Sequence, residues 1–313
     1  MRRIFQFWTY LRILAITSQP MFAALEPWYF RRNFKNPSSR VPVFIVGAPR
    51  TGSTVLYQML SNNNDFLYID NLASAFNRSL PFGIWLSQLA FKGKAHNSFQ
   101  SKYGNTPFLH SPSESQSFWY RWFPKDRDFV ELGDISPERI QDMQKTIVSI
   151  MEHHKKDILF KNLACGQRIR VIHHAFPNAK FIFIKRDPVF TAQSLLLARR
   201  HLGIDDSTWW SVKPREFASI NELPIHEKLI QQISLVEHQI ATDLKNIPDK
   251  NKIEINYQDL PDGVTRIQEF LGLSTNPNSE SNMRQFENKV NMEEAEFNLL
   301  LASYDSIDRV EEC

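Results

Sequence analysis

Apolar positions in this chain change period several times, and each change marks an element. Residues 41–46, VPVFIV, are apolar on both faces and rich in β-branched side chains, the pattern of a strand buried in a parallel sheet. Beyond a glycine-containing turn, Val55, Leu56, Met59 and Leu60 share one side of a predicted helix that ends near residues 62–64. FLYI at 66–69 predicts a second strand. Residues 136–156 give a well-marked helix, with Ser136 at the N-cap, Pro137 at the first helical position and Ile140, Met143, Ile147 and Met151 as the buried stripe. Then come DILFKN (157–162) as a strand and GQRIRVIHHAF (166–176) as a helix stopped by Pro177. KFIFIKR (180–186) is another strand. The helix after it has Asp187 at its N-cap, Pro188 inside its start and Gly203 past its end. KIEINY (252–257) and GVTRIQEFLGL (263–273) supply a late strand and helix. Strand–helix alternation at this spacing implies right-handed crossovers and an α/β fold with a parallel sheet.

The flanks read differently. Residues 1–40 form a leader that ends in the loop signal NPSSR. In MRRIFQFWTYLRILAIT the apolar run is too short, and Arg12 too central, for a spanning helix or a clean signal peptide. Ile4, Phe5, Trp8, Leu11 and Ala15 recur at helical spacing, so an amphipathic helix is expected, either packed on the domain or docked on a membrane surface. Residues 92–115 are polar and aperiodic, a loop long enough to suggest function. The aromatic run FWYRWFP (118–124) is read as a wall beside it. STNPNSESN (274–282) resembles a linker before a polar helical tail. The expected organisation is a leader (1–40), an α/β domain (41–273) and a helical tail packed on that domain (274–313).

Composition narrows the function. In the 313 residues, 37 basic and 34 acidic side chains leave a net charge of +3, which argues against a protein built to coat nucleic acid. Two cysteines, Cys165 and Cys313, make neither a disulfide framework nor a metal cluster. A reducing, cytoplasmic location fits, with peripheral contact to the inner membrane surface if the leader docks there. Cys165 reads as a core residue.

The chemistry is concentrated in VGAPRTGST (46–54). A strand, a Gly-x-x-x-x-Gly turn and a helix bring unsatisfied backbone N–H groups and the helix dipole to one point. The Mg-ATP version of this loop has lysine after the second glycine; here Ser53 stands there and Arg50 lies two residues before that glycine. Thr51, Gly52, Ser53 and Thr54 form the cradle, and Arg50 adds a planar cation. Such a loop suits a diphosphate-like group that needs no metal. Arg186 lies at the C-terminal edge of another strand, where open α/β sheets bind ligands, with Ser194 eight residues on. Two anion sites on one sheet edge suggest a ligand with phosphates at both ends.

These residues resemble sulfotransferases. PVFIVGAPRTGST is similar to the family's 5′-phosphosulfate loop. FPNAKFIFIKRDPVFTAQS is similar to its 3′-phosphate motif, R-D-P with a serine eight residues after the arginine. INYQDLPDGVTRIQEFLGL resembles its later Y-x-D-L and F-L-G-L segment. The resemblance covers residues 42–273. It implies a three-layer, P-loop nucleotide-kinase-like sheet. It also implies 3′-phosphoadenosine 5′-phosphosulfate (PAPS) as donor, 3′-phosphoadenosine 5′-phosphate (PAP) as product, and sulfuryl transfer without metal. Arg50 and Thr51 to Thr54 would hold the 5′-phosphosulfate, and Arg186 and Ser194 the 3′-phosphate. Lys161 corresponds to a strand-end lysine that some branches place near the leaving group, or it is a salt-bridge partner. Glu114, His110 and Asp70 are the candidate bases; Glu114, in the polar loop, is favoured.

The expected reaction is sulfation of a hydroxyl on a carbohydrate or glycolipid. The carbohydrate expectation rests on Trp119, Tyr120 and Trp122 beside the loop. Trp209 and Trp210 either line the acceptor pocket or belong to the core. A nucleotide kinase of the same fold class, needing a loop lysine and Mg²⁺ carboxylates, and an inactive nucleotide-binding module are the alternatives.

Overall fold

The computed structural model describes residues 2–63, 66–273 and 287–311. Five strands, β1 (Pro42–Val46), β2 (Leu67–Tyr68), β3 (Ile158–Lys161), β4 (Lys180–Lys185) and β5 (Lys252–Asn256), form one parallel sheet in the order β2-β3-β1-β4-β5. β1 lies at the centre, with Val43 paired to both Leu159 and Lys180. Twelve α-helices are described: α1 (Arg2–Asn33), α2 (Ser53–Asn63), α3 (Asn71–Ala75), α4 (Leu80–Ala90), α5 (Gln116–Trp119), α6 (Pro137–His154), α7 (Ile169–Ala175), α8 (Pro188–His201), α9 (Phe217–Ile220), α10 (Ile225–Lys245), α11 (Leu260–Leu271) and α12 (Glu294–Glu311).

The alternation of β1 side chains builds three layers. Val43 and Ile45 enter one core with Leu56, Leu60, Val264 and Ile267 of α2 and α11. Phe44 and Val46 point the other way, into a larger core with Met143, Ile147, Leu195 and Ile240. Phe44 stacks on Phe160 and Phe181 of the flanking strands, with ring centroids 5.2 and 5.6 Å apart. With all five positions of β1 buried, no solvent-facing side is available to it, which is why the strand reads as continuously apolar.

The helix starts carry the caps their sequences predict. Ser136 accepts from Arg139 N at α6, and Asp187 accepts from Val189 N and Phe190 N at α8. The helix expected at 166–176 is shorter. Residues 163–167 make a 3₁₀ turn first, because the Gln167 carbonyl accepts from Val130 N and its side chain donates to Val236 O.

At the flanks, α12 packs on α8 and α10, and α1 packs on α6 and α3. Of the stripe expected on the leader, Ala15 is buried against Leu72 and Phe76. The side chains of Ile4, Phe5, Trp8 and Leu11 lie outside the described residues, as do residue 313 and the 274–282 segment. Arg121 pins α1 by bonding Glu26 and Asp142 at 2.9 and 2.8 Å. Of the aromatic run, only Tyr120 walls a cavity. Phe118, Trp119 and Trp122 are core residues at 0–1 % exposure, and the Trp122 indole donates to Asp142 at 2.7 Å. They are therefore unavailable for stacking on a sugar. Cys165 is a core residue as well; burial pushes its thiol pKa up to about 12.

Candidate active site

Strand ends β1, β3 and β4 open into one cavity of about 740 Å³. The loop after β1 carries two left-handed residues, Arg50 at φ 70° and Gly52 at φ 89°. Gly52 is required here on two counts: its φ disfavours a side chain, and a Cβ would fall 2.6 Å from the Tyr257 ring. The turn delivers the N-terminus of α2, so Gly52, Ser53 and Thr54 line the cavity. Thr51 does not. It is fully buried, and its hydroxyl donates to Ala48 O at 2.9 Å, bracing the turn.

Arg186 leaves the end of β4 and reaches the same turn. Its Nη1 donates to Arg50 O at 3.3 Å, its Nε to Asn288 Oδ1 at 2.9 Å, and its guanidinium lies 4.3 Å from the Tyr257 ring centre. Arg50 Nε donates to Ser194 Oγ at 3.1 Å, and its guanidinium covers the Tyr103 ring. The two clusters expected at separate strand ends thus adjoin. Burial, then the charge of Arg186, lowers the Arg50 pKa; burial lowers that of Arg186. Among the described residues, neither arginine forms an ion pair with a carboxylate. Two partly buried guanidinia sharing one mouth, beside a helix N-terminus, fit a multiply charged anion such as the PAP moiety.

On the other side of the turn, Lys161 ends β3 with its side chain 2 % exposed. Its Nζ donates to Thr54 Oγ1 at 3.1 Å and to Glu114 Oε1. Lys161 thus forms a salt bridge and also lines the cavity. Glu114 is held from below. Ser113 N bonds Ile69 O at 2.8 Å, so the loop runs beside the end of β2, and Asn162 donates to Glu114 O at 3.1 Å.

The long polar loop folds back over these groups. Lys102 and Asn105 exchange both backbone hydrogen bonds around Tyr103 and Gly104, which have φ 53° and 88°. This is a two-residue hairpin turn of the kind that needs positive φ at both central positions. A Cβ on Gly104 would sit 3.2 Å from Glu114 Oε1 and 4.0 Å from Thr54 Oγ1. The turn is thus a roof over the carboxylate.

His110 and Asp70 do a different job. Asp70 is fully buried; it caps α3 through Ala73 N, accepts from Ser87 Oγ at 2.6 Å and pairs with His110 Nδ1 at 3.0 Å. His110 Nε2 donates to Lys94 O at 2.6 Å. Both side chains anchor the long loop, and neither lines the main cavity. Trp210 and Tyr120 do line it, whereas Trp209 packs against Phe217. Tyr103 escaped sequence reasoning; the unusual Tyr-Gly pair in a polar loop is the only signal that pointed to it.

Similarity to known proteins agrees with this geometry. A match to omega-hydroxy-beta-dihydromenaquinone-9 sulfotransferase Stf3 of Mycobacterium bovis is 24 % identical over 262 residues, covering 74 % of this chain and 63 % of that protein. The Mycobacterium tuberculosis protein of the same name matches equally. The chain thus spans less than two thirds of these relatives' length. The crystal structure of sulfotransferase STF9 from Mycobacterium avium shares the fold, with a TM-score of 0.51 at 14 % identity, covering 87 % of this chain and 78 % of that one. The profile of the sulfotransferase family matches residues 42–277, from the first strand of the sheet past α11, and the chain belongs to that family.

Proposed function

We propose that the protein transfers a sulfuryl group from PAPS to an acceptor hydroxyl, with Glu114 as base. The observation that carries this is the convergence of Arg50, Arg186, Ser194 and the α2 N-terminus in one cavity, with a Lys161–Glu114 pair against Thr54 of that N-terminus. When bound, the donor supplies an activated sulfuryl group on a phosphate leaving group. Arg186 and Ser194 would hold the ribose 3′-phosphate. The backbone N–H groups of residues 52–54 and the Arg50 guanidinium would hold the 5′ end and take up charge as it develops there. Glu114 would accept the proton of the attacking hydroxyl, in a position where its bond to Lys161 holds and aims it. Lys161, bonded to Thr54 beside the cradle, can turn from Glu114 to the leaving oxygen within the reach of its flexible stem.

For the acceptor, burial of Trp119 and Trp122 leaves Tyr120 as the one residue of the three that can face a carbohydrate. Tyr120 and Trp210 remain as apolar lining, and the relatives named for a menaquinone derivative favour a hydroxyl on a lipid-like molecule, which still includes a glycolipid. Calorimetry tests the donor assignment: PAP should bind without added metal, and Mg-ATP weakly. Preferential, Mg²⁺-dependent binding of ATP would overturn it in favour of a kinase.

A further inference from the structure

Helix α1 is inside out. Its inward face carries, besides the small Ala15, the polar Gln19 and Glu26, at 5 % and 6 % exposure, with Glu26 tied to Arg121. Its outward face carries Tyr10, Leu14, Met21, Leu25 and Trp28, each between 53 % and 70 % exposed. These positions recur at three-, four- and seven-residue spacing, so they form one stripe along the helix. A helix packed only for solubility shows the opposite arrangement. The stripe continues onto α4: Phe22 stacks on Phe82, and beside it Trp85 and Leu89 are 46 % and 61 % exposed.

Charge identifies what covers this face. Residues 1–35 contain six basic side chains (Arg2, Arg3, Arg12, Arg31, Arg32, Lys35) and one acidic, Glu26, a net of +5 against +3 for the whole chain. The acid is buried, while Arg31 and Arg32 are exposed at the end of the stripe, with Arg32 over Trp28. Exposed aliphatic and indole side chains flanked by arginines, without an exposed acid on the described part of the helix, match the interface of an anionic bilayer. Among the described residues no helix is long and apolar enough to cross a membrane, so α1 would lie in the surface plane.

A second cavity, of about 570 Å³, lies directly behind α1. Ile16 and Gln19 of α1 and Ala75 of α3 wall it, and it shares Asn71, Ser74 and Ser117 with the main cavity. Ile16 is itself 67 % exposed, so this cavity opens to the surface along α1, on a flank of the helix away from the stripe.

We propose that α1 seats the protein on an anionic lipid surface, and that the cavity behind it admits the acceptor from that surface to Glu114. The entry route rests on the sulfuryl-transfer reading; the docking does not. Flotation of the full chain with phosphatidylcholine vesicles, with and without phosphatidylglycerol, tests the docking. The protein should float with the anionic vesicles and remain below with the neutral ones. Arg31→Glu/Arg32→Glu and, separately, Leu14→Glu/Met21→Glu/Leu25→Glu should each reduce binding by on the order of tenfold or more. All five positions are exposed, so PAP binding by calorimetry should match the parent protein. Failure of the parent to float, or flotation of the triple variant at parental level, overturns the proposal. So does a dimer in sedimentation velocity that the triple variant abolishes without any vesicle binding, because the face would then be a self-interface. For the route, a fluorophore at Ile16→Cys in a Cys313→Ser background, where Cys165 is buried, should be quenched by brominated lipid. One at Asp262→Cys, on α11 across the sheet, should not. Flotation with no quenching at position 16 overturns the entry route. Absence of PAP binding by the parent would instead sink the sulfuryl-transfer reading and leave the docking standing.

Discussion

Arg186→Ala separates the ribose phosphate from the rest of the nucleotide. Among the described residues its guanidinium holds uncharged partners, Asn288 Oδ1 and Arg50 O, and lies over Tyr257. A phosphate there would take two hydrogen bonds from ion to ion, at roughly 1.5–3 kcal/mol each, in place of two from the guanidinium to uncharged oxygens, at roughly 1 kcal/mol each. The difference is about 1–4 kcal/mol. Removing Arg186 also relieves repulsion on Arg50, which feels its charge, so little affinity should be lost at the 5′ end. The quantity to measure is a ratio. PAP and 5′-AMP differ only by the 3′-phosphate, and the ratio of their dissociation constants isolates that group, as a double-mutant cycle does. Titration calorimetry at fixed salt should show the ratio collapsing by on the order of 10- to 10³-fold in Arg186→Ala. Affinity for 5′-AMP should change by no more than about threefold. Equal losses for both ligands would refute the assignment, since Arg186 would then be supporting the loop and not reading the 3′ position.

Three further outcomes follow from the same geometry. Glu114→Gln should lower turnover by on the order of 10²-fold or more while PAP binds at least as well, because a negative charge beside the cradle is gone; unchanged turnover would remove Glu114 as base. Gly104→Ala should cost about 1–2 kcal/mol of stability at φ 88° and press on Glu114, so kcat should fall with PAP affinity nearly constant; an unaltered kcat would show that the roof is slack. His96 is 2 % exposed, and burial outweighs its two backbone carbonyl partners to lower its pKa from 6.5 to about 4. The unfolded chain therefore binds the proton first, so stability is full above pH 6.5 and is lost as pH falls toward 4. The loss is at most about 3 kcal/mol. Urea titrations at several pH values should show that slope, flattened in His96→Gln; a parallel slope in both proteins would place the titration elsewhere.

Much of the sheet was legible because burial on both faces leaves a direct mark: VPVFIV and KFIFIK are apolar without alternation. The caps at Ser136 and Asp187 were legible because capping is local. The expectations contain no helix at 225–245, although Leu229, Ile233, Val236, Ile240 and Leu244 carry the helical period. Helices α3 and α4 are harder, since α4 is apolar almost all round and α3 is a single turn. At the site, the loop, Arg186 and Ser194 were visible because their spacing is fixed by one strand–turn–helix each. That Arg50 would reach Ser194, that Asp70 and His110 would spend their bonds on each other, and that Trp119 and Trp122 would face inward all depend on contacts between distant segments. Sequence periodicity does not record those.

Among the described residues, the two site arginines are held by an asparagine, a serine and a backbone carbonyl, all uncharged. An arriving nucleotide therefore displaces placeholders and not rival anions, and no carboxylate has to be stranded when it binds. Affinity should then fall with rising ionic strength through simple screening, and the positive mouth should draw the nucleotide in from solution before any contact forms.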